Sequence, residues 1–137
     1  MLAVALVAIL GSLASSAYGS YRDRVRTKAA VDEIAAISMA IDQYEADRGM
    51  FPPDLAAIGR GGLQDPWGRA YVYRDLSIAS NRGAARKDHS LVPLNSDYDL
   101  FSKGPDGMSA SPLTAQSSKD DILRANNGRY IGRGQDY

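Results

Sequence analysis

Aspartates gather in two places in the last third of the chain. The stretch 97-DYDLFSKGPDG-107 holds three of them, and the pair Asp120 and Asp121 follows thirteen residues later. Carboxylates at this density suit three kinds of structure: a catalytic acid–base pair, a set of ligands for a cation, or polar turns. The choice among them depends on what the rest of the chain builds around these residues.

A catalytic role has little support in the neighbouring sequence. A glycosidase-like pair needs two carboxyl groups across a cleft with separated pKa values, and nothing else here builds a cleft. A nucleophile with its base would need the single histidine, His89, or a lysine in a spacing that the chain does not show. We therefore expect that the protein is not an enzyme.

Cation binding and ordinary turns both remain open for the aspartates. The EF-hand pattern fails, because starting it at Asp97 places Phe101 and Ser102 where the third ligand and the glycine belong. Calcium accepts about six to eight oxygens, backbone carbonyls included, so the two acidic groups could close around one ion. Alternatively, the aspartates are solvated turn residues, and Asp120 caps a helix.

The overall composition excludes several other classes of protein. The 137 residues suffice for one domain, and 16 basic and 16 acidic residues cancel, so no net charge favours nucleic acid as a partner. The chain has no cysteine, which excludes a disulfide framework and any thiolate metal site.

The first 20 residues, MLAVALVAILGSLASSAYGS, contain no side chain that is charged at neutral pH. A helix of this length spans roughly 30 Å, the thickness of the hydrocarbon core of a bilayer, which predicts a transmembrane segment. A signal peptide would need a basic region before the apolar run and a clear A-x-A site, and a buried core helix rarely runs so far without a charge. Small residues in the second half predict close packing on copies of the same helix: Gly11, Ser12, Ala14, Ser15, Ser16, Ala17 and Gly19.

The same helix is predicted to continue beyond the membrane segment. Four basic residues follow the apolar run and suit an interfacial helix face: Arg22, Arg24, Arg26 and Lys28. Apolar residues then recur at spacings of three and four, as on one face of an amphipathic helix: Ala30, Ile34, Ile37, Ile41 and Tyr44. One helix of about 47 residues, ended by Gly49 and two prolines, is expected, with its second half packed on its own domain.

Residues 51–137 predict a small domain of mixed structure. Strands are expected at Ala70–Tyr73 and Tyr98–Ser102, and the polar stretch 78–92 between them suits a hairpin loop. The segment 120-DDILRA-125 has residues that suit a helical turn.

Taken in order, these features resemble the major pseudopilins of type II secretion systems and related type IV pilin-like proteins. The similarity rests on AILG in the apolar run, Y-x-x-Y-R after it, and then 44-YEADRGMFP-52, 65-DPWGRAYVY-73 and 99-DLFSKGPDG-107. It covers most of the chain. DPWG-x-x-Y-x-Y followed by S-x-G-x-D-G is the most specific part of it.

The resemblance implies an α+β fold: a long N-terminal helix (1–50) whose second half lies on a small antiparallel sheet (51–137). It implies a structural subunit of a pseudopilus or type IV pilus-like filament that serves protein secretion. The expected partners are copies of itself, minor pilin-like subunits, an inner-membrane assembly platform and the lipid bilayer. The expected location is the bacterial inner membrane, crossed once, with the C-terminal domain in the periplasm or outside the cell in the filament. The alternative is a secreted calcium-binding domain released by signal-peptide cleavage.

The resemblance also implies a calcium ion in the loop after the second strand. Asp106 and the carbonyl of Lys103 fall on ligand positions of the matching motif, and Asp120 or Asp121 takes the distal carboxylate position. The loop is longer than is usual in the family and carries SPLTAQSSKDD, so both distal aspartates remain candidates.

Members of the family begin with a basic leader and a peptidase site of the form Gly-Phe-Thr-Leu-Ile-Glu. The sequence opens just where that motif should end, so we expect the leader to be encoded upstream of Met1. The basic charge of that leader would also set the orientation of the helix in the membrane. The positive-inside tendency, applied to the segment 22–28 alone, would instead place the domain in the cytoplasm.

Overall fold

The computed structural model describes the whole chain, from Met1 to Tyr137. A long helix is followed by a four-stranded antiparallel sheet, so the predicted α+β architecture is confirmed. The helices and strands are α1 (Leu2–Arg48), β1 (Val72–Asp75), α2 (Ala79–Arg82), β2 (Tyr98–Ser102), β3 (Ile122–Ala125) and β4 (Tyr130–Arg133). Single 3-10 turns lie at Leu55–Ile58, Gln116–Ser118 and Gly134–Asp136.

Helix α1 runs unbroken for 47 residues, as predicted. No proline interrupts it, and Gly49 ends it in the left-handed conformation, at φ 71°, where its N–H donates to the carbonyl of Glu45. Glycine adopts this conformation without steric cost, and Pro52 and Pro53 then prevent the helix from resuming.

The sheet is a simple meander in which each strand pairs with the next, in the order β1-β2-β3-β4. In its centre, Phe101 of β2 lies opposite Val72 of β1 and Leu123 of β3. The prediction for β2 is confirmed, whereas β1 starts two residues later than expected. The helical turn predicted at 120–125 is wrong, because that segment forms β3, and its pairing with β2 and β4 outweighs its local helix preference.

Both faces of the sheet are covered. The face toward α1 packs against the predicted helical stripe, whose first four members are completely buried against side chains of the sheet: Ala30, Ile34, Ile37 and Ile41 with Tyr98, Leu100 and Ile122. Alternate strand residues point the other way, and they form a second cluster with residues of the loops: Phe101, Leu123 and Ala125 of the strands with Leu94 and Leu113. The stretch 78–92 was predicted to be a hairpin loop. It contains α2, and its residues Ala85 and Arg86 are buried, with Arg86 over the ring of Phe101 on the second face.

Candidate functional site

The loop between β2 and β3, residues 103–121, contains all four predicted calcium ligands, and we term it the C-terminal loop. Lys103 is half-buried and leads into a turn with two glycines in the left-handed region, Gly104 at φ 63° and Gly107 at φ 71°. A Cβ at Gly104 would lie 2.3 Å from the carbonyl oxygen of Asp120. Glycine is therefore required there by both conformation and space.

Asp106 and Asp120 meet at this turn, although not through two facing carboxylates. The backbone N–H of Asp106 donates to Oδ2 of Asp120 over 3.1 Å. The carboxylate of Asp106 turns back on its own segment and accepts from the N–H of Met108 at 2.7 Å. Asp106 is exposed and Asp120 half-buried, so both carboxylates remain within reach of solvent.

Asp121 lies in a different environment from its neighbour. Its side chain is completely buried, and Oδ2 lies 2.8 Å from Nη2 of Arg86. The same oxygen accepts a 2.6 Å hydrogen bond from the hydroxyl of Ser109. Adjacent side chains of an extended chain point to opposite sides, and here Asp120 meets the turn at 104–106 while Asp121 enters the interior under the second face.

Burial has the largest effect on the pKa of Asp121. It raises the pKa of Asp121 to about 6, although Arg86 and Ser109 act in the opposite direction. Burial likewise lowers the pKa of Arg86, opposed by the charges of Asp121 and Asp99. At neutral pH, the ionised pair is thus retained against a substantial desolvation cost.

The structure separates the two distal candidates, because Asp120 meets the turn with Asp106 whereas Asp121 pairs with Arg86. No group of three or more acidic, histidine or cysteine side chains is arranged to hold a metal. Oδ1 of Asp121 is buried without a hydrogen-bond partner, but the guanidinium of Arg86 already balances that carboxylate. A divalent ion at Oδ1 would add a second cation beside Arg86 in a medium that screens charge poorly. Asp106 and Asp120 are brought together at the turn, but through a hydrogen bond from the backbone N–H of Asp106 to Oδ2 of Asp120, while the carboxylate of Asp106 binds the N–H of Met108.

Two arginines that sequence reasoning missed contact the C-terminal loop. Arg69 donates from Nη1 to the carbonyl of Gly104 at 2.8 Å, and its side chain occupies the space that a Cβ on Gly107 would fill. Arg86 donates from Nη1 to the hydroxyl of Ser109 and reaches Asp121. One signal was available for Arg86: Asp99 lies within the strand predicted at Tyr98–Ser102, and a carboxylate buried in a strand needs a partner.

The DPWG motif has a clear structural role beside this loop. Oδ1 of Asp65 accepts the backbone N–H groups of Trp67 and Arg69, at 3.0 and 2.9 Å. Oδ2 accepts the hydroxyl of Ser102 at 2.6 Å, and that hydroxyl in turn accepts the N–H of Gly104. The two most specific motifs of the sequence, DPWG and S-x-G-x-D-G, are therefore joined by direct hydrogen bonds.

The second candidate surface is the first half of α1. Residues 1–18 are all exposed, and the most apolar stretch of 18 residues has a mean hydropathy of 1.8 with none of it buried. By length and composition the helix could cross a membrane. Gly11 and Gly19 have no atom within 4 Å of a Cβ built on them, so the small residues face open space within the monomer.

Comparison with protein-family models, with curated proteins and with solved structures finds no match for this chain.

Proposed function

We propose that this protein is a structural subunit of a pseudopilus or a related type IV pilus-like filament, acting in type II protein secretion. Its N-terminal helix would reside in the bacterial inner membrane and the domain in the periplasm, until the subunit enters a filament. Copies of itself, minor pilin-like subunits and an inner-membrane assembly platform are the proposed partners. The proposal includes no enzymatic activity.

The observation that carries this proposal is the division of α1 into two halves with opposite environments. From Ala30 onward its apolar stripe is buried on the domain's own sheet, whereas residues 1–18 are all exposed. Large apolar side chains are exposed along the first half: Leu2, Val4, Leu6, Val7, Ile9, Leu10 and Leu13. A monomer in water does not sustain an apolar surface of this size, so lipid or other helices must cover it.

The distribution of side-chain sizes along the first half of α1 suits burial in lipid first and packing on other helices afterwards. Leucine, valine and isoleucine dominate the first turns, and hydrophobicity of this kind is what membrane insertion requires. Gly11, Ala14 and their small neighbours allow two helix backbones to approach closely. A Cβ on Gly11 would meet no atom within 4 Å in the monomer, and the proposed packing of helices in a filament gives its small size a role.

Fractionation of cells that express the full chain tests the proposed location. The protein should remain in the membrane pellet after carbonate extraction, and its domain should become protease-sensitive when the outer membrane is opened. Mass measurement of the mature protein separates the alternative, a secreted domain released by signal cleavage. A soluble product that has lost residues 1–20 would favour that alternative and contradict the proposal.

A further inference from the structure

Arg86 is the one cation in the interior of the domain that faces the C-terminal loop. It is 2% exposed, and its guanidinium lies over the ring of Phe101 at 4.4 Å on the second face of the sheet. A buried arginine is costly unless its charge is paired. Its partners are Asp121, completely buried at the end of the loop, and the hydroxyl of Ser109 near its beginning.

The backbone around Arg86 is also joined to the loop. The N–H of Lys87 donates to the carbonyl of Ser111, and the N–H of Leu113 donates to the carbonyl of Lys87, both at 2.9 Å. The hydroxyl of Ser111 donates to the carbonyl of Ala85 at 2.6 Å. Residues 85–87 and 111–113 thus form a short hydrogen-bonded ladder, with the Arg86 side chain beneath it.

The same residue ties this ladder to the sheet. The backbone N–H of Arg86 donates to Oδ2 of Asp99 in β2 at 2.7 Å, and its carbonyl accepts from the N–H of Leu94 at 2.9 Å. Through Asp121, which directly precedes β3, the guanidinium reaches the next strand. Arg86 therefore links Ser109 and Asp121 of the C-terminal loop through its side chain, and it contacts Asp99 of β2 through its backbone N–H.

We propose that the guanidinium of Arg86 supplies, from within the chain, the positive charge that closes the C-terminal loop, in the role for which the resemblance predicts a calcium ion. A bound ion would bring carboxylates and carbonyls from both ends of the loop together. Here Asp121 and Ser109 are brought together by Arg86, and Arg69 holds the carbonyl of Gly104. The inference does not depend on filament assembly, and it makes closure of the loop independent of calcium.

The first test needs no substitution. The thermal midpoint of the full chain in detergent micelles is measured in millimolar calcium and in excess chelator, with magnesium as a control. We expect midpoints that agree within about 1 °C, because a ligand that does not bind the folded state does not stabilise it. A clear rise in the midpoint with calcium alone would overturn the proposal.

The second test addresses Arg86 itself. Arg86→Met keeps much of the side-chain volume, removes the charge, and leaves Asp121 buried and unpaired. We expect hydrogen exchange at the amides of Lys87 and Leu113 to accelerate by about tenfold or more. Arg129→Met, an exposed arginine on the turn between β3 and β4, is the matched control and should leave exchange there unchanged.

A double substitution separates the charge from the packing of the arginine. Arg86→Met with Asp121→Leu removes both members of the pair, and replacing a buried ion pair by apolar residues is often neutral. We expect most of the lost protection to return. Protection that stays low in the double variant, or exchange in Arg86→Met equal to that in the Arg129 control, would contradict the assigned role. If Arg86→Met does not fold, a clear rise in the midpoint of the unmodified protein with calcium alone would still overturn the proposal.

Discussion

Single carboxylates organise the domain, and their burial decides what each one does. Asp65 holds two backbone N–H groups and a hydroxyl, Asp99 holds the N–H of Arg86 and the amide of Asn95, and Asp121 holds Arg86. Asp106 caps a surface turn instead. The dense aspartates of the sequence are thus neither one cluster nor solvated turn residues throughout, because the fold distributes them over separate environments.

Asp65 offers a quantitative test at this scale. Replacing it with alanine leaves the N–H groups of Trp67 and Arg69 and the hydroxyl of Ser102 without their acceptor. We expect Asp65→Ala to lower the free energy of unfolding by about 2–4 kcal/mol, measured by denaturant titration in detergent. Asp54→Ala is the matched control: Asp54 is exposed and accepts one backbone N–H, that of Ala57, so its loss should cost about 0.5–1 kcal/mol. Equal losses in the two variants would contradict the role given to Asp65.

Burial of Asp99 predicts a pH dependence of stability. Burial raises its pKa above the ordinary 3.8, opposed by hydrogen bonds from Arg86 and Asn95 and by the charges of Arg86 and Arg74. Above that ordinary value, and up to the raised one, the folded protein binds more protons than the unfolded chain, so stability falls as pH rises through this interval. The free energy of unfolding of the unmodified protein, minus that of Asp99→Asn, should therefore decrease as the pH rises from about 4.

The difference between the unmodified protein and Asp99→Asn cancels the contribution of Asp121, because Asp121 titrates in both proteins. A difference that grows with pH in this interval would show that the neighbouring arginines outweigh burial at Asp99.

Among the elements, the helix was predictable and part of the sheet was not. Helix α1 shows a regular period and a glycine end signal, so both its length and its buried stripe follow from local rules. The segment that forms β3 has residues compatible with a helical turn, and only its partners β2 and β4 make it a strand. In the C-terminal loop, the S-x-G-x-D-G motif was enough to predict the turn that contains Asp106. The pairing of Asp121 with Arg86 was not predictable, because it joins residues 35 positions apart and no local pattern encodes such a contact.

The stripe on α1 can be tested by comparing two positions two residues apart. Ile37 is completely buried against the sheet, whereas Met39 is 73% exposed. Ile37→Ala should destabilise the domain by about 2–5 kcal/mol through lost burial and the cavity that remains, and Met39→Ala should change stability by about 0.5 kcal/mol or less. Thermal or chemical unfolding followed by circular dichroism of the sheet would measure both. Similar losses in the two variants would mean that the helix does not pack on the sheet through this face.

On the scale of the whole molecule, α1 joins two parts that follow different physical rules. The domain holds its share of the helix by burial of apolar side chains and by ordered hydrogen bonds. The first half of the helix has no partner in the monomer and must find one in lipid or in other subunits. In the proposed filament, helices of this kind pack together, and residues 11–19 include the small side chains that would allow close packing.

The most direct measurement of that requirement is the yield of filaments sheared from cells that express Gly11→Leu, compared with Val7→Leu. Both variants place leucine on the apolar half of the helix, but only the first adds a large side chain where a small one stands. A loss of about 1 kcal/mol at each helix contact lowers its equilibrium constant about fivefold, and the effect is repeated along the filament. We predict that Gly11→Leu inserts into the membrane normally and yields few or no filaments, while Val7→Leu yields normal amounts. Filaments of normal yield from Gly11→Leu would contradict the proposed helix packing.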